Sequence, residues 1–207
     1  MQVSQLNEQT IIIKWSEQLD PETLHTVLAY RDSPDWNAIE GILEVWNTFN
    51  SLAVRFDPLT IHFTELKRSI QNLRPLPTNN TPNNTVIIEV NYLSESKDMQ
   101  LLSKLLQLTP TEIIAAHQEP EYTVGMIGFL PGFPYLLGLP EVLHSPRKNH
   151  PEFAIPKGAV AIGGAQAGIY PQKSPGGWYV LGITDMELFE GAEVTLNVGD
   201  KVRFQSL

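Results

Sequence analysis

Residues 125–184 contain 11 of the 14 glycines and 8 of the 16 prolines of this 207-residue chain. Glycine allows positive φ and close backbone approach, whereas proline fixes φ and removes a hydrogen-bond donor. A stretch rich in both cannot form one long helix, and this one is too apolar to act as a flexible linker. We therefore expect short strands joined by rigid turns, a kind of surface on which binding and catalytic residues are common.

The charge of this stretch differs from that of the rest of the chain. It holds four basic and two acidic residues, a local charge of +2, so the remainder sums to −11 within the formal net charge of −9. A mildly cationic patch on an acidic protein suits an anionic small molecule or an acidic partner surface. The overall negative charge argues against a nucleic-acid-binding protein.

Composition excludes several further classes. The chain has no cysteine, which removes disulfides, thiolate catalysis and cysteine-bound zinc. His144 and His150 are six residues apart with no carboxylate pair beside them, so no metal site is predicted. No apolar run approaches the length of a membrane span, and the N-terminus lacks the pattern of a secretory signal. We expect a cytoplasmic protein that binds neither membrane nor nucleic acid.

The first half of the chain alternates strand and helix patterns. β-Branched and aromatic residues predict a strand at 10–15, and Asp20 with the following proline predicts a helix that runs to about Tyr30. Residues 39–49 and 52–56 have the pattern of two paired strands, and residues 61–73 that of a second helix. This β-α-β-β-α order predicts a ferredoxin-like split βαβ sandwich over residues 1–84, including a proline- and asparagine-rich linker at 74–84.

The second half, residues 85–207, is mostly β. A strand at 86–92 either completes the first domain or begins the second. Helices are expected at 98–108 and 109–117, the second with a capping box formed by Thr109 and Glu112. From residue 121 onward, short strands and turns predict a closed or nearly closed barrel. The expected fold class is therefore α+β.

Two residues are candidates for proton transfer or anion binding. His117 is predicted at the end of the capped helix, where its imidazole either bonds the last helix carbonyls as a favoured cation or serves as a general acid or base. Arg147 lies in an otherwise charge-poor region, and its guanidinium matches carboxylate or phosphate bidentately. Lys148 beside it is a weaker candidate, because surface basic pairs are usually only solvated.

Aromatic residues and dense turns supply further candidates. Phe129, Phe133 and Tyr135 lie among glycines and prolines, which suits the wall of a small-molecule pocket, although a hydrophobic cap on the barrel has the same pattern. The turns at 163–171 and 174–178 can present backbone N–H groups to an anion, yet they match no nucleotide-binding fingerprint. Ser174 has no neighbouring base, so its hydroxyl is a candidate ligand contact rather than a nucleophile.

These turns also carry a family likeness. The runs GFLPGFPYLLGLP, SPRKNHPEFAIPKGAVAIGG and QAGIYPQKSPGGWYVLGIT resemble the allophanate hydrolase subunit 1 family, which includes KipI-like proteins and B subunits of bacterial 5-oxoprolinase. The likeness is dense over residues 125–184 and extends more loosely along the chain. It implies a ferredoxin-like N-terminal half and a cyclophilin-like β-barrel in the C-terminal half. Two positions depart from the family pattern: the loop at 93–98 lacks glycine, and Glu152 replaces a basic residue.

The resemblance implies an ATP-dependent amidohydrolase that works as a complex. Its oxoprolinase members are small subunits that open 5-oxoproline to glutamate together with two other proteins. These are a larger second subunit, similar to allophanate hydrolase subunit 2 and to the C subunit of 5-oxoprolinase, and a LamB/YcsF-like A subunit. Which of the three proteins binds the ATP stays open. Carried over to this sequence, the family's patterned residues fall on His117, Tyr135, Arg147, Gln166, Tyr170, Ser174 and Trp178. Together with Phe129 from the aromatic loop, they give the candidate catalytic residues His117, Arg147 and Tyr170 and the candidate substrate-binding residues Phe129, Tyr135, Gln166, Ser174 and Trp178.

A function of another class also remains open. A KipI-type protein inhibits a sensor histidine kinase by binding it and performs no chemistry of its own. In that case residues 129–135 would be the docking surface. A third possibility, prolyl isomerisation, rests on barrel analogy alone, which is a poor guide to function.

Overall fold

The computed structural model describes residues 1–76, 85–190 and 193–207. The chain divides into two compact units, Met1–Pro82 and Asn83–Leu207. Across the described residues, every helix is too short or too polar to cross a membrane.

The predicted linker at 74–84 lies mostly outside the described residues, since 77–84 are not among them. Its first three residues are held by the first unit. The backbone N of Leu76 donates to the carbonyl oxygen of Ala29 at 2.8 Å, and Arg74 forms an ion pair with Asp35 at 3.3 Å. Arg74 and Leu76 thus contact the first unit within the predicted linker.

The first unit is a four-stranded antiparallel sheet with two α-helices. Its elements are β1 (Gln2–Asn7), β2 (Thr10–Lys14), α1 (Pro21–Arg31), a 3₁₀ turn (Pro34–Ala38), β3 (Ile42–Asn47), β4 (Ser51–Phe56) and α2 (Phe63–Gln71). The strand order is β1-β2-β4-β3. From β2 onward this is the predicted β-α-β-β-α sequence of elements.

Helix α1 begins where the sequence predicts. Oδ1 of Asp20 accepts a hydrogen bond from the backbone N of Thr23 at 2.8 Å, which satisfies one of the free donors of the first turn. Pro21 occupies the first turn, where its missing N–H costs nothing. Leu24 and Val27 are then buried, and Val27 packs into the core of the sheet.

Strand β1 is absent from the sequence-based prediction. Among its six residues only Val3 is even half-buried, so the strand shows no alternation of apolar and polar residues. It pairs with β2 at the edge of the sheet, the place where a fourth strand completes a ferredoxin-like sheet. The strand predicted at 86–92 is therefore not needed there, and it belongs to the second unit.

The second unit is a closed barrel of seven strands with two helices. The barrel strands are β5 (Thr85–Tyr92), β6 (Tyr122–Ile127), β7 (Pro134–Leu137), β9 (Ala159–Gly163), β10 (Gln166–Ile169), β12 (Tyr179–Ile183) and β15 (Lys201–Ser206). The helices are α3 (Lys97–Leu106) and α4 (Pro110–Gln118), and two ribbons pair β8 (Glu152–Ile155) with β11 (Ser174–Gly176) and β13 (Phe189–Glu190) with β14 (Glu193–Val194).

Around the ring the order is β10-β7-β6-β15-β5-β12-β9, and β9 returns to β10. Neighbouring strands are antiparallel except for β5 and β15, which are parallel. The predicted α+β fold with a C-terminal barrel is confirmed.

The two faces of the barrel wall carry side chains of different size. In β9, Val160 and Ile162 join the hydrophobic cluster of the barrel interior, whereas Ala159 and Ala161 belong to a separate cluster. Because side chains alternate along a strand, this second cluster lies on the outside of the wall, and Gly163 faces the same way. The outer positions of β9 are all small, which leaves room for large side chains to pack against the wall from outside.

Candidate functional site

A cleft of about 270 Å³ lies against this outer wall. It is lined by Phe129, Phe133, Tyr135, Arg147, Pro151, Tyr170, Pro175, Gly176, Gly177 and Trp178. Five of the eight residues that the sequence singled out are thus brought together, namely Phe129, Tyr135, Arg147, Tyr170 and Trp178. The other three are elsewhere.

Phe133, for which the sequence left a pocket wall and a barrel cap equally open, is the centre of the aromatic wall. Its side chain is buried, and its ring centroid lies 4.8 Å from Tyr135, 5.1 Å from Tyr170 and 5.7 Å from Trp178. The tilted and edge-to-face orientations are those that aromatic pairs prefer. The loop pattern indicated Phe133, but only the fold shows that the other rings gather around it.

Three glycines make room for these rings. Gly163 lies under Trp178, Gly168 under Phe133 and Gly176 under Tyr170. A Cβ atom would come within 2.6 Å of the Trp178 ring at the first position and 2.9 Å of the Phe133 ring at the second, and closer still to the Tyr170 hydroxyl at the third. These glycines therefore serve close packing of side chains on backbone, a use distinct from turn formation.

Arg147 is the only charged residue among the lining residues. Its guanidinium carbon lies 5.9 Å from the centroid of the Trp178 ring, a cation–π arrangement. The side chain is exposed, and it forms no ion pair with any residue that the structure describes. An unpaired guanidinium against an aromatic wall suits a carboxylate or a phosphate. Within the described parts of the chain, no group of three His, Asp or Glu side chains is placed to hold a metal ion.

Two tyrosines give the cleft hydrogen-bond donors. Burial raises the pKa of Tyr170 to about 12; Tyr135 also raises it, and Arg147 opposes the shift. Burial likewise raises the pKa of Tyr135, again opposed by Arg147. Both phenols therefore keep their protons at neutral pH. The Tyr170 hydroxyl makes no hydrogen bond to another described residue, so it is free to donate to a ligand.

Phe129 forms the rim of the cleft in an unusual backbone conformation. Its φ is +67°, in the left-handed region that non-glycine residues rarely occupy. The side chain is 60% exposed, and its ring lies 5.6 Å from that of Phe133 in an edge-to-face contact. Backbone strain of this kind persists where the surroundings impose it, often at binding sites.

Two predicted substrate-binding residues do not line the cleft. Gln166 lies in β10 opposite Gly163, with its side chain buried, and its Nε2 has no hydrogen-bond partner among the described residues. Ser174 is also buried, and its hydroxyl donates to the carbonyl oxygen of Pro175 at 3.1 Å. Because the polar atom is covered in one case and engaged in the other, the structure supports neither as a ligand contact.

His117 lies in the barrel core rather than in the cleft. It has no exposed surface, its ring centroid is 4.5 Å from that of Phe204, and Nδ1 is 2.8 Å from the Tyr92 hydroxyl. Burial lowers the pKa of His117 to about 3, so the imidazole is neutral. The carbonyl at this end of α4 accepts from the Tyr122 hydroxyl at 2.9 Å instead. His117 therefore fits neither of its two predicted roles, the cation at the helix end or the general acid or base.

The buried histidine predicts a specific dependence of stability on pH. In the unfolded chain it takes up a proton below its ordinary pKa of 6.5, whereas in the folded protein it stays neutral to about 3. We therefore expect its contribution to the free energy of unfolding to decrease by ~1.4 kcal/mol per pH unit as the pH falls through this window. A His117→Asn variant should lack that contribution, and His150→Asn, at an exposed histidine, should retain it. Urea denaturation at several pH values measures both, and equal pH dependence in wild type and His117→Asn would contradict the assignment.

Comparisons with known proteins agree with the fold and identify relatives of the chain. The family model described as carboxyltransferase domain, subdomain C and D, matches residues 1–197. The B subunit of 5-oxoprolinase from Haemophilus influenzae is 42% identical over 170 residues, which cover 80% of this chain and 79% of that protein. The B subunit of 5-oxoprolinase from Bacillus subtilis is 32% identical over 222 residues, covering 98% and 91%. The crystal structure of TTHA0988 matches with a TM-score of 0.82 at 30% identity over 96% of this chain, which spans 40% of the TTHA0988 chain.

Proposed function

The chain belongs to the family of carboxyltransferase domains, subdomain C and D, and on that premise we propose that it is the small, B-type subunit of an ATP-dependent 5-oxoprolinase that opens 5-oxo-L-proline to L-glutamate. The names of two relatives that align over most of their length support a role as a subunit of such a hydrolase. The substrate, the ATP dependence and the partner subunits are the further content of the proposal.

The observation that carries the proposal is the unpaired Arg147 guanidinium in a small aromatic cleft. At about 270 Å³ the cleft is near the lower limit of ligand pockets, which begin at roughly 300 Å³. That size favours a compact ligand over an extended one. 5-Oxo-L-proline is compact and offers one carboxylate, one lactam amide and an apolar ring. The guanidinium, the tyrosine hydroxyls and the aromatic rings of the cleft match these three features in turn.

Arg147 would bind the substrate carboxylate, and Tyr170 would donate a hydrogen bond to the lactam carbonyl oxygen. A lactam carbonyl is a poor electrophile. When water attacks its carbon, negative charge develops on the carbonyl oxygen, and the C–N bond then breaks to leave the amino and carboxylate groups of glutamate. A donor aimed at that oxygen from a largely water-excluded wall stabilises the charge as it develops. The Phe133 and Trp178 rings would pack against the apolar ring of the substrate and limit its orientations.

The cleft does not fit ATP. A nucleoside triphosphate carries several negative charges, and the lining offers one cation. Three of the glycines near the cleft, Gly163, Gly168 and Gly176, make room for aromatic rings. We therefore place ATP on another member of the proposed complex, which consists of this chain, a larger second subunit and a LamB/YcsF-like subunit. Because the complex would use ATP, we propose that it works in the cytoplasm.

The kinase-inhibitor alternative gains less from the structure. Residues 129–135 were the candidate docking surface, but Phe133 and Pro134 are buried in the wall of the cleft. Phe129 is the one aromatic residue of that segment with most of its surface exposed. The segment is thus built mainly as the inside of a pocket.

Reconstitution of the complex tests the proposal. The chain is co-expressed with the larger subunit and the LamB/YcsF-like subunit of its own source, and glutamate released from 5-oxo-L-proline is measured with and without ATP. We expect glutamate only when all three subunits and ATP are present. 2-Pyrrolidinone, which keeps the lactam and lacks the carboxylate, should compete poorly. No glutamate from the full set, under conditions in which the Bacillus subtilis subunits produce it, would refute the proposal.

A further inference from the structure

A buried ion pair involves Lys148, the residue that follows Arg147 of the cleft. Nζ of Lys148 is 2.6 Å from Oδ2 of Asp98, and the two side chains are only 8% and 10% exposed. Glu152 also faces the ammonium at 3.2 Å, and the Tyr179 ring lies 5.6 Å from it. Asp98 comes from the first turn of α3, whereas Lys148 follows Arg147 in the chain. Because burying two charges costs desolvation energy, such a pair is weak evidence for stability and calls for another explanation.

The same carboxylate also bonds strand β12, which follows Trp178 in the chain. Oδ2 of Asp98 accepts a hydrogen bond from the backbone N of Val180, at 2.8 Å. The backbone N of Lys148 donates to the carbonyl oxygen of the residue before Trp178, also at 2.8 Å. One side chain on α3 thus ties the segment that carries Arg147 to the turn that carries Trp178.

We propose that Asp98 is a positioning residue: acting through Lys148, it fixes the Arg147 guanidinium over the Trp178 indole and so defines where a carboxylate binds. An exposed arginine without a carboxylate partner loses side-chain freedom when it binds a ligand. Anchoring the neighbouring backbone from behind reduces that cost before the ligand arrives. The placement of the guanidinium is independent of the ligand, and only its consequence for 5-oxo-L-proline rests on the proposed function.

The position of Arg147 can be measured without any ligand. A proton held over an aromatic ring experiences a ring-current shift, so the Nε–H signal of Arg147 in a ¹H–¹⁵N spectrum reports its stacking on Trp178. The chain has six arginines, and an Arg147→Lys variant identifies the relevant signal. We expect Lys148→Met to move that signal to the region of freely solvated arginines. Lys157→Met is the matched control, because it removes a half-exposed ion pair with Glu187 in the same unit, and it should leave the signal in place.

A double variant separates positioning from stability. Asp98→Asn and Lys148→Met each leave a buried charge without its main partner, so each alone lowers the melting temperature. Asp98→Asn combined with Lys148→Met leaves neither charge, and part of the melting temperature should return. The Arg147 signal should nevertheless stay displaced, because the link between α3 and the Arg147 segment is still missing. A signal that is unmoved in Lys148→Met, or that returns in the double variant together with the melting temperature, would overturn the proposal.

Calorimetric titration with 5-oxo-L-proline adds the functional readout on the full chain with its partner subunits. Misplacing the guanidinium should weaken binding roughly 10- to 100-fold in Lys148→Met, and leave Lys157→Met unchanged. Equal affinity in wild type and Lys148→Met would overturn the claim that Asp98 defines the carboxylate site. If wild type does not bind the lactam but the Arg147 signal still depends on Lys148, the proposed function fails and the positioning role stands.

Discussion

An Arg147→Gln variant will lower kcat/KM for 5-oxo-L-proline about 100-fold in the reconstituted complex, mainly by raising KM. Glutamine keeps a polar end but has neither the charge nor the paired donors that hold a carboxylate bidentately. Because Arg147 is the only charged residue among the described residues that line the cleft, none of them can replace it. Steady-state kinetics of ATP-dependent glutamate release give both constants.

Two controls make the Arg147 result specific. Arg203→Gln removes an exposed arginine of the same unit, paired with Glu121 at 3.1 Å, and should leave the kinetics unchanged. Inhibition by 2-pyrrolidinone should be equally weak in wild type and Arg147→Gln, because this lactam has no carboxylate to lose contact with. If Arg147→Gln stays within about threefold of wild type, less than 1 kcal/mol of binding free energy, then Arg147 does not hold the substrate carboxylate.

Two adjacent glycines should respond very differently to alanine. Gly176→Ala places a Cβ against the Tyr170 hydroxyl, and the tyrosine is too buried to move aside. Overpacking of this kind should lower the free energy of unfolding by about 2 kcal/mol and displace Tyr170 from the cleft. In Gly177→Ala the new Cβ atom would lie 3.7 Å from its nearest neighbour, an ordinary van der Waals contact. The free energy of unfolding should therefore change by less than ~0.5 kcal/mol.

The pair of variants contains its own control. Both alanines reduce the entropy of the unfolded chain by a similar amount, so the difference between them isolates the steric effect. Neither glycine has a positive φ that an alanine would strain. Urea denaturation of the two proteins gives the difference directly. Equal stabilities would show that the Tyr170 ring is not held against the backbone at this point.

Sequence reasoning was most successful where local rules decide the outcome. The cap of α1 at Asp20 and the capping box of α4 at Thr109 depend on a few adjacent residues, and both are present. The glycine- and proline-rich stretch does form short strands and tight turns, with Gly132 and Gly158 at positive φ. The need for a glycine at 163 follows from no local rule, because Trp178 meets Gly163 only where β12 pairs with β9.

The misplaced candidates failed for the same physical reason. The helix-end pattern around His117 does not reveal that α4 turns this residue towards Phe204 in the barrel interior. The same polar residue at an exposed helix end would have an identical local sequence. Gln166 lies in a strand of four residues, too short for its alternation to show that the side chain is covered. Burial is decided by distant segments, and a single sequence does not display them.

The sequence gives only a weak indication of the role proposed for Asp98. Asp98 belongs to the glycine-free loop that departs from the family pattern, and the cap of α3 by Ser96 follows from the residues that replace the glycines. An acidic residue in a first helical turn is common, because it interacts well with the helix dipole. Its bond to Lys148, 50 residues further along the chain, could not be inferred from that position.

The parallel pairing of β5 with β15 has a consequence for how the protein is made. β5 opens the barrel unit and β15 completes it, with Thr85 to Val90 in register with Lys201 to Ser206. During synthesis the ring must stay open until its final strand has left the ribosome, so the nascent chain holds an uncompleted sheet edge for most of its translation. Contacts between such distant segments fold slowly and leave strands open to mispairing. The barrel that supports the cleft is thus completed only late in synthesis, when β15 can pair with β5.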